Sequence, residues 1–319
     1  MKKVLVTGIT GFAGSHLADR LTLNSEYEVY GTYLSDKSLA NVAHIKDKIH
    51  LTKVDLINEA DVLSLVTNVK PDIVFHLAAF AATGESFQNP SSVITNNIAS
   101  QVNLFEGLRK NKLEKTRVLV VSSAEVYGMV QKDMLPINEN TPLRPVNPYS
   151  VSKIAQDFLG LQYVLSYGFD IVRVRPFNHI GPRQTPQFVV ASFAKKIAEI
   201  EKGLQKPILS VGNLEAKRDF TDVRDMVCAY ELLIEKGEAG EVYNVGSGVS
   251  HKISDILQTL LSFSTSKIEI KVDPALLRPI DTQEIVCDCS KMQKLTGWKA
   301  KILLDKSLKD TLDYWRGIV

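Results

Sequence analysis

The opening stretch limits the fold more than any other part of the chain. Val4-Leu5-Val6 is a short apolar run that reads as a buried parallel strand. Thr7 follows, then glycines spaced Gly8-x-x-Gly11-x-x-Gly14, then a helix running through Leu23. A tight strand-to-helix turn needs residues without Cβ, so that backbone N–H groups at the helix N-terminus can approach a pyrophosphate. A plain turn would also use these glycines, but their place directly after the first strand favours a dinucleotide site.

Strand and helix patterns alternate from there. Residues 28–32, 49–54, 73–76, 118–121 and 171–175 read as the second to sixth strands, with 242–245 returning later. This alternation predicts an α/β fold, a doubly wound parallel sheet with ligands at the strand carboxyl ends. Pro176 to Pro182 takes the chain out of the sheet to build a smaller C-terminal lobe. The expected division is 1–176 with 222–248 for the dinucleotide, and 177–221 with 249–319 for the substrate.

The second strand ends Gly31-Thr32-Tyr33-Leu34-Ser35, with neither an acid to exclude NADP nor an arginine to favour it. NAD and NADP both stay open. Asp55, after the third strand, either accepts the adenine amino group or caps the helix starting near Glu59. Leu77-Ala78-Ala79 is small enough for cofactor phosphates to come close. Residues 136–148 are proline-rich and read as a surface excursion.

That excursion leads to Asn147-Pro148-Tyr149, where Asn147 suits an N-cap and Pro148 the first helical position. Tyr149 and Lys153 then share a helix face. An ammonium beside a phenol favours phenolate, so the tyrosine should fall from about 10 toward neutrality, a preference of ~4 kcal/mol. Such a group exchanges protons with a sugar oxygen at pH 7. Tyr-x-x-x-Lys is also a common packing pair, and needs context. Ser123 and Glu125, at the carboxyl end of the fifth strand, supply it: a hydroxyl for a carbonyl and a carboxylate for a neighbouring carbon, or else a polar turn with a capping serine.

In the C-terminal half, 187–202 reads as an amphipathic helix bearing Lys195 and Lys196, and 254–261 as a helix capped by Ser254 or a neighbour. Leu277-Arg278-Pro279 starts a loop into a strand around Ile285. Asn178 suits a sugar hydroxyl or phosphate oxygen, while Arg218 and Arg278 are planar forks suited to a diphosphate. His179 has no assigned role. Cys287 and Cys289 should point to opposite faces of a strand, which with Cys228 argues for ordinary thiols in a reducing compartment. Hydrophobic residues at 45%, charged residues at 23% and a net charge of +2 describe a soluble globular protein and give no footprint for nucleic acid. No run reaches membrane-spanning length, so a cytoplasmic protein is expected.

Taken together, the glycine spacing, Ser123 ahead of Tyr149-x-x-x-Lys153 and the second lobe resemble the extended short-chain dehydrogenase/reductase family acting on nucleotide sugars. Phe177-Asn178-His179-Ile180-Gly181-Pro182 and the stretch from Val211 to Phe220 look like its GDP-sugar branch. The resemblance implies catalysis by Ser123, Tyr149 and Lys153, with Glu125. It implies NAD or NADP on Gly8, Gly11, Phe12, Ala13, Gly14, Thr32, Asp55, Leu56, Leu77, Ala78, Ala79, Tyr149, Lys153 and Phe177. A GDP-sugar would meet Ser123, Asn178, Val189, Lys195, Arg218 and Arg278, with no metal. Related dehydratases carry an acid or hydroxyl between the catalytic Ser/Thr and the glutamate, where this chain has Ala124. The expected reaction is therefore NAD(P)H-dependent reduction of the C4 ketone of a GDP-4-keto-6-deoxyhexose, with 4,6-dehydration or epimerisation as the alternative. A sensor without catalysis would have lost the Ser-Tyr-Lys group. Two departures from the family stand out: its Asn-hydrophobic-x-Gly-Thr on the helix after the fourth strand reads Asn97-Ile98-Ala99-Ser100-Gln101, and Leu34 stands where reductases carry arginine. By analogy the helices at 90–110 and 148–167 pair across a homodimer.

Overall fold

Side chains on the strands alternate between two layers, and this sets the architecture. Val4 and Val6 enter one core while Leu5 enters another, and Leu119 parts in the same way from Val118 and Val120. The computed structural model describes residues 1–277 and 282–319. Its strands are β1 (Lys2–Thr7), β2 (Tyr27–Tyr33), β3 (Ile49–Lys53), β4 (Ile73–His76), β5 (Arg117–Val121) and β6 (Asp170–Pro176). There follow β7 (Asn178–Ile180), β8 (Ile208–Val211), β9 (Lys217–Asp222), β10 (Val242–Val245), β11 (Ser250–Lys252) and β12 (Glu269–Val272). The helices are α1 (Phe12–Leu21), α2 (Glu59–Val69), α3 (Thr83–Gln88), α4 (Pro90–Lys110) and α5 (Pro148–Tyr167). The later ones are α6 (Val189–Glu201), α7 (Val223–Lys236), α8 (Ile253–Ser262), α9 (Ser290–Thr296) and α10 (Leu304–Ile318).

The central sheet has seven strands in the order β10-β6-β5-β4-β1-β2-β3, every neighbouring pair parallel. Its α/β, Rossmann-like form is the one expected. Leu17 and Leu21 of α1 and Met226, Tyr230 and Leu233 of α7 cover one face. Val62 and Val66 of α2, Leu104 and Phe105 of α4 and Tyr163 of α5 cover the other. A separate core joins α6, α8 and α10 through Val190, Ile197, Leu257, Leu260, Leu308 and Leu312. Two small sheets, β11-β9-β7 and β12-β8, accompany it.

Several sequence expectations need correcting. The segment near Ile285 forms only isolated bridges, Ile137 with Cys287 and Lys217 with Glu284, among the described residues. Cys289 turns the chain into α9 with φ −100° and ψ 15°, which breaks strand alternation. Cys287 and Cys289 therefore lie in one buried cluster, with their thiols hydrogen-bonded to each other. Ser254 does not cap α8, since its hydroxyl turns to Asp255. The backbone N–H groups of Ile253 and Ser254 instead bond the carbonyls of Ala216 and Leu214. Residues 136–148 do run along the surface, with Pro136, Asn138, Asn140, Pro142, Arg144 and Pro145 exposed, but Ile137 is fully buried and pins the excursion through backbone hydrogen bonds with Val286 and Asp288.

Candidate active site

The strand order reverses between β1 and β4, and their carboxyl ends therefore flank the crevice where such sheets bind ligands. Gly8 leaves β1 with φ +69°, and a Cβ there would stand 3.1 Å from the Ala78 Cα. At Gly14 a Cβ would fall 2.2 Å from the Gly8 carbonyl oxygen, so the helix can start only this close without a side chain. Thr32 braces the turn from β2: its hydroxyl accepts the Gly8 N–H at 3.2 Å, and its carbonyl the Ile9 N–H at 3.1 Å. Phe12 stacks on His179 with ring centroids 5.7 Å apart, tying the turn to the start of the second lobe. Ala13 packs against the α1 core.

Around the crevice, Asp55 does not cap α2, a task taken by Asn58, whose side chain accepts from Ala60 and Asp61 N–H groups. Asp55 is exposed just beyond β3, and its carboxylate accepts the Ile57 N–H at 3.2 Å. Leu56 is buried beneath α4, where Asn103 donates to its carbonyl. Leu34 is exposed, and beside it Asp36 is neutralised by Lys53 at 2.7 Å. Leu77 and Ala78 donate their N–H groups to the Thr7 hydroxyl, and Ala79 follows on the loop.

Ser123 and Tyr149 meet across the carboxyl end of β5. Ser123 caps the short turn 124–127 by accepting the Glu125 N–H, and its hydroxyl is also in hydrogen-bond contact with Tyr149. Asn147 does cap α5, accepting the Ser150 N–H at 2.7 Å, and its amide reaches Glu125 Oε2 at 3.5 Å. Ala124 is buried in an apolar cluster with Val126, Tyr127 and Phe177. Phe177 is itself 1% exposed, wedged beside Tyr127.

The expected fall in the Tyr149 pKa is reversed. Burial pushes the phenol up to about 12; the Ser123 hydrogen bond opposes this and the Glu125 charge adds to it. The Lys153 ammonium is spent elsewhere, donating to the Val121 carbonyl at 2.6 Å and to Gln156 Oε1 at 2.7 Å. Burial in turn lowers Lys153 to about 7, while Asp157 one turn on pulls it upward. Asp157 is held between Arg173 at 2.5 Å and Arg175 at 2.7 Å, all three buried. Gln156, His76, Thr7 and Asn147 were not singled out as chemistry in the sequence. Only the spacing of Gln156 three residues after Lys153 could have pointed there.

On the second lobe, Asn178 begins β7 opposite Phe220 of β9, and Val189 opens α6. Arg218, on β9, donates to the carbonyls of Lys217 and Thr282, both at 2.8 Å. Lys195, further along α6, is partly exposed, 3.5 Å from Glu199 and over the Trp315 ring. Arg278 lies outside the described residues.

This chain matches the family model for GDP-mannose 4,6 dehydratase over residues 5–311. It is 36% identical over 318 residues to GDP-6-deoxy-D-mannose reductase of Pseudomonas aeruginosa, spanning 100% of this chain and 98% of that protein. It is 30% identical over 346 residues to GDP-mannose 4,6-dehydratase of Yersinia enterocolitica, spanning 96% and 91%. The structure of RMD from Pseudomonas aeruginosa complexed with NADPH superposes with a TM-score of 0.86 at 33% identity, covering 100% of both chains. UDP-glucose 4-epimerase of Thermus thermophilus in complex with NAD gives 0.87 at 29% identity over 99% and 100%. With a glycine turn at the sheet's switch point and Ser123 against Tyr149 at the end of β5, the chain belongs to the GDP-mannose 4,6-dehydratase family of extended short-chain dehydrogenase/reductases.

Proposed function

We propose that this protein uses NADH or NADPH to reduce the C4 ketone of a GDP-4-keto-6-deoxyhexose, giving a product of the GDP-rhamnose type. The observation that carries this reading is Ala124. It lies buried between Ser123 and Glu125, where dehydration would need a group to move the proton that accompanies water loss. The likeness to GDP-6-deoxy-D-mannose reductase over the whole chain supports it. Glu125, with Asn147 3.5 Å from its carboxylate, favours 4,6-dehydration as the second reading.

In this reading residues 1–176 with 222–248 hold the dinucleotide, and 177–221 with 249–319 the sugar nucleotide. The cradle at Gly8, which a Cβ would fill against Ala78, fits a pyrophosphate. The bound dinucleotide supplies the hydride. Ser123 and Tyr149 polarise the ketone oxygen, and Tyr149 is an intact phenol at neutral pH, as an acid must be. Lys153 holds the nicotinamide ribose and biases Tyr149. Asn178, Val189 and Arg218 line the approach of the nucleotide diphosphate. A helix-pair homodimer through α4 and α5 accounts for Val151, Phe158 and Leu165, exposed seven residues apart along α5.

Incubation with GDP-4-keto-6-deoxy-mannose and each reduced cofactor should consume at least one of them. No consumption, together with loss of water from GDP-mannose, would replace this reading by the dehydratase.

A further inference from the structure

Behind Lys153 a buried chain of polar groups crosses from α5 through β4 to the end of β1. Lys153 Nζ donates to Gln156 Oε1 at 2.7 Å, the Gln156 amide nitrogen stands 3.3 Å from His76 Nε2, and His76 Nδ1 lies 2.9 Å from the Thr7 hydroxyl. Thr7, His76, Gln156 and Lys153 are 0%, 2%, 0% and 4% exposed, so bulk water does not compete for these groups.

Counting donors places the protons. The Thr7 oxygen accepts N–H groups from Leu77 and Ala78, both at 3.1 Å, which uses its two lone pairs. Its own proton therefore goes to His76 Nδ1. Burial, with the Lys153 charge adding to it, lowers His76 to about 3, so the ring is neutral and carries its single proton on Nε2. That N–H then faces the amide NH2 of Gln156, donor against donor. Half a turn of the carboxamide relieves this contact, because Oε1 then accepts from His76. The same turn points NH2 at Lys153, which suits a free amine with a lone pair and not an ammonium. The two neighbours thus make opposite demands on one amide.

We propose that Gln156 is a positioning residue whose carboxamide turns with the charge of Lys153, so that the Thr7–His76 pair works against the ammonium and favours the free amine. Among the described residues, few groups face Lys153. Asp157 on α5 favours the ammonium, although Arg173 and Arg175 of β6 occupy its carboxylate. From β5 it meets the Val121 carbonyl, and from β4 the neutral His76. The lowering of Lys153 to about 7 by burial accords with this balance. The consequence for turnover rests on the role given to Lys153 above: its charge would change readily as Tyr149 gives up a proton.

The test needs no substrate. In the full chain, the His76 Nε2 resonance is followed by 15N NMR from about pH 6 to about pH 9, beside the Lys153 ε-carbon. His76→Gln and Lys153→Met assign the two signals. The His76 signal should move with the Lys153 midpoint, and in Gln156→Met it should lose most of that movement while Lys153 still titrates. Thr7→Val, which frees the imidazole tautomer, should raise the proton affinity of Lys153 roughly tenfold, and Thr7→Ser should restore it. A His76 signal that stays flat while Lys153 titrates, or movement undiminished in Gln156→Met, would overturn the proposal. Failure to reduce the ketone would instead sink the proposed function and leave these resonances unaffected.

Discussion

Tyr149 and Lys153 share a helix face, yet each finds its nearest partner elsewhere. The phenol meets Ser123, and the ammonium meets Val121 and Gln156. If Tyr149 donates the proton, Tyr149→Phe should lower kcat by about 10²- to 10⁴-fold while the dinucleotide still binds. Cofactor-oxidation rates and a binding titration check both halves. Lys153 makes a separate prediction about stability. Below about pH 7 its ammonium is present in both folded and unfolded chains, and burial costs stability in full. Between about 7 and 10.5 the unfolded chain holds the proton more tightly, so this contribution rises with pH. The unfolding free energy of the parent minus that of Lys153→Met, measured in urea at several pH values, should climb across that window. A flat difference would contradict the burial of the charge.

Helix α4 keeps, at Asn97, the asparagine that opens the family's Asn-hydrophobic-x-Gly-Thr pattern. The Asn97 side chain accepts the Phe80 N–H at 2.8 Å and donates to the Phe80 carbonyl at 3.1 Å and to Ser152 Oγ at 2.9 Å. It thereby joins the loop after β4 to α5. Asn97→Ala removes the side-chain partner of the Phe80 N–H and carbonyl and should cost about 1–3 kcal/mol, read as a lower urea midpoint. Elements of this kind were legible where local chemistry sets them. The run Ile73-Val74-Phe75-His76 could only be a short buried strand, and Asn147-Pro148 fixed the start of α5. Tertiary bonding overrode local signals elsewhere. The start of α8 is satisfied by the backbone of 214–216 rather than by a serine, and Ile137 is drawn inward by the segment at Cys287. At the site, spacing alone put Tyr149 and Lys153 on one helix face, and the family resemblance added Ser123 to them. The polar chain behind Lys153 could not, because Thr7, His76 and Gln156 come together only when β1, β4 and α5 pack.

The whole molecule sets a Rossmann-like sheet beside a smaller helical core, with the candidate residues drawn from both. Its assembly is testable through α5. Phe158 is 50% exposed in line with Val151 and Leu165, and Phe158→Glu should turn a dimer into a monomer by light scattering. The same molar mass for parent and variant would contradict the proposed interface. The direction of hydride flow separates a reductase from a dehydratase, and isotope transfer reads it. GDP-4-keto-6-deoxy-mannose is incubated with NADPH or NADH deuterated at the transferable position, and the product is read by mass and NMR. Reduction by this protein should give a product two hydrogens richer than the ketone, with one deuterium at C4. A protein that takes GDP-mannose to a product poorer by one water, with no deuterium from the added cofactor, would contradict it.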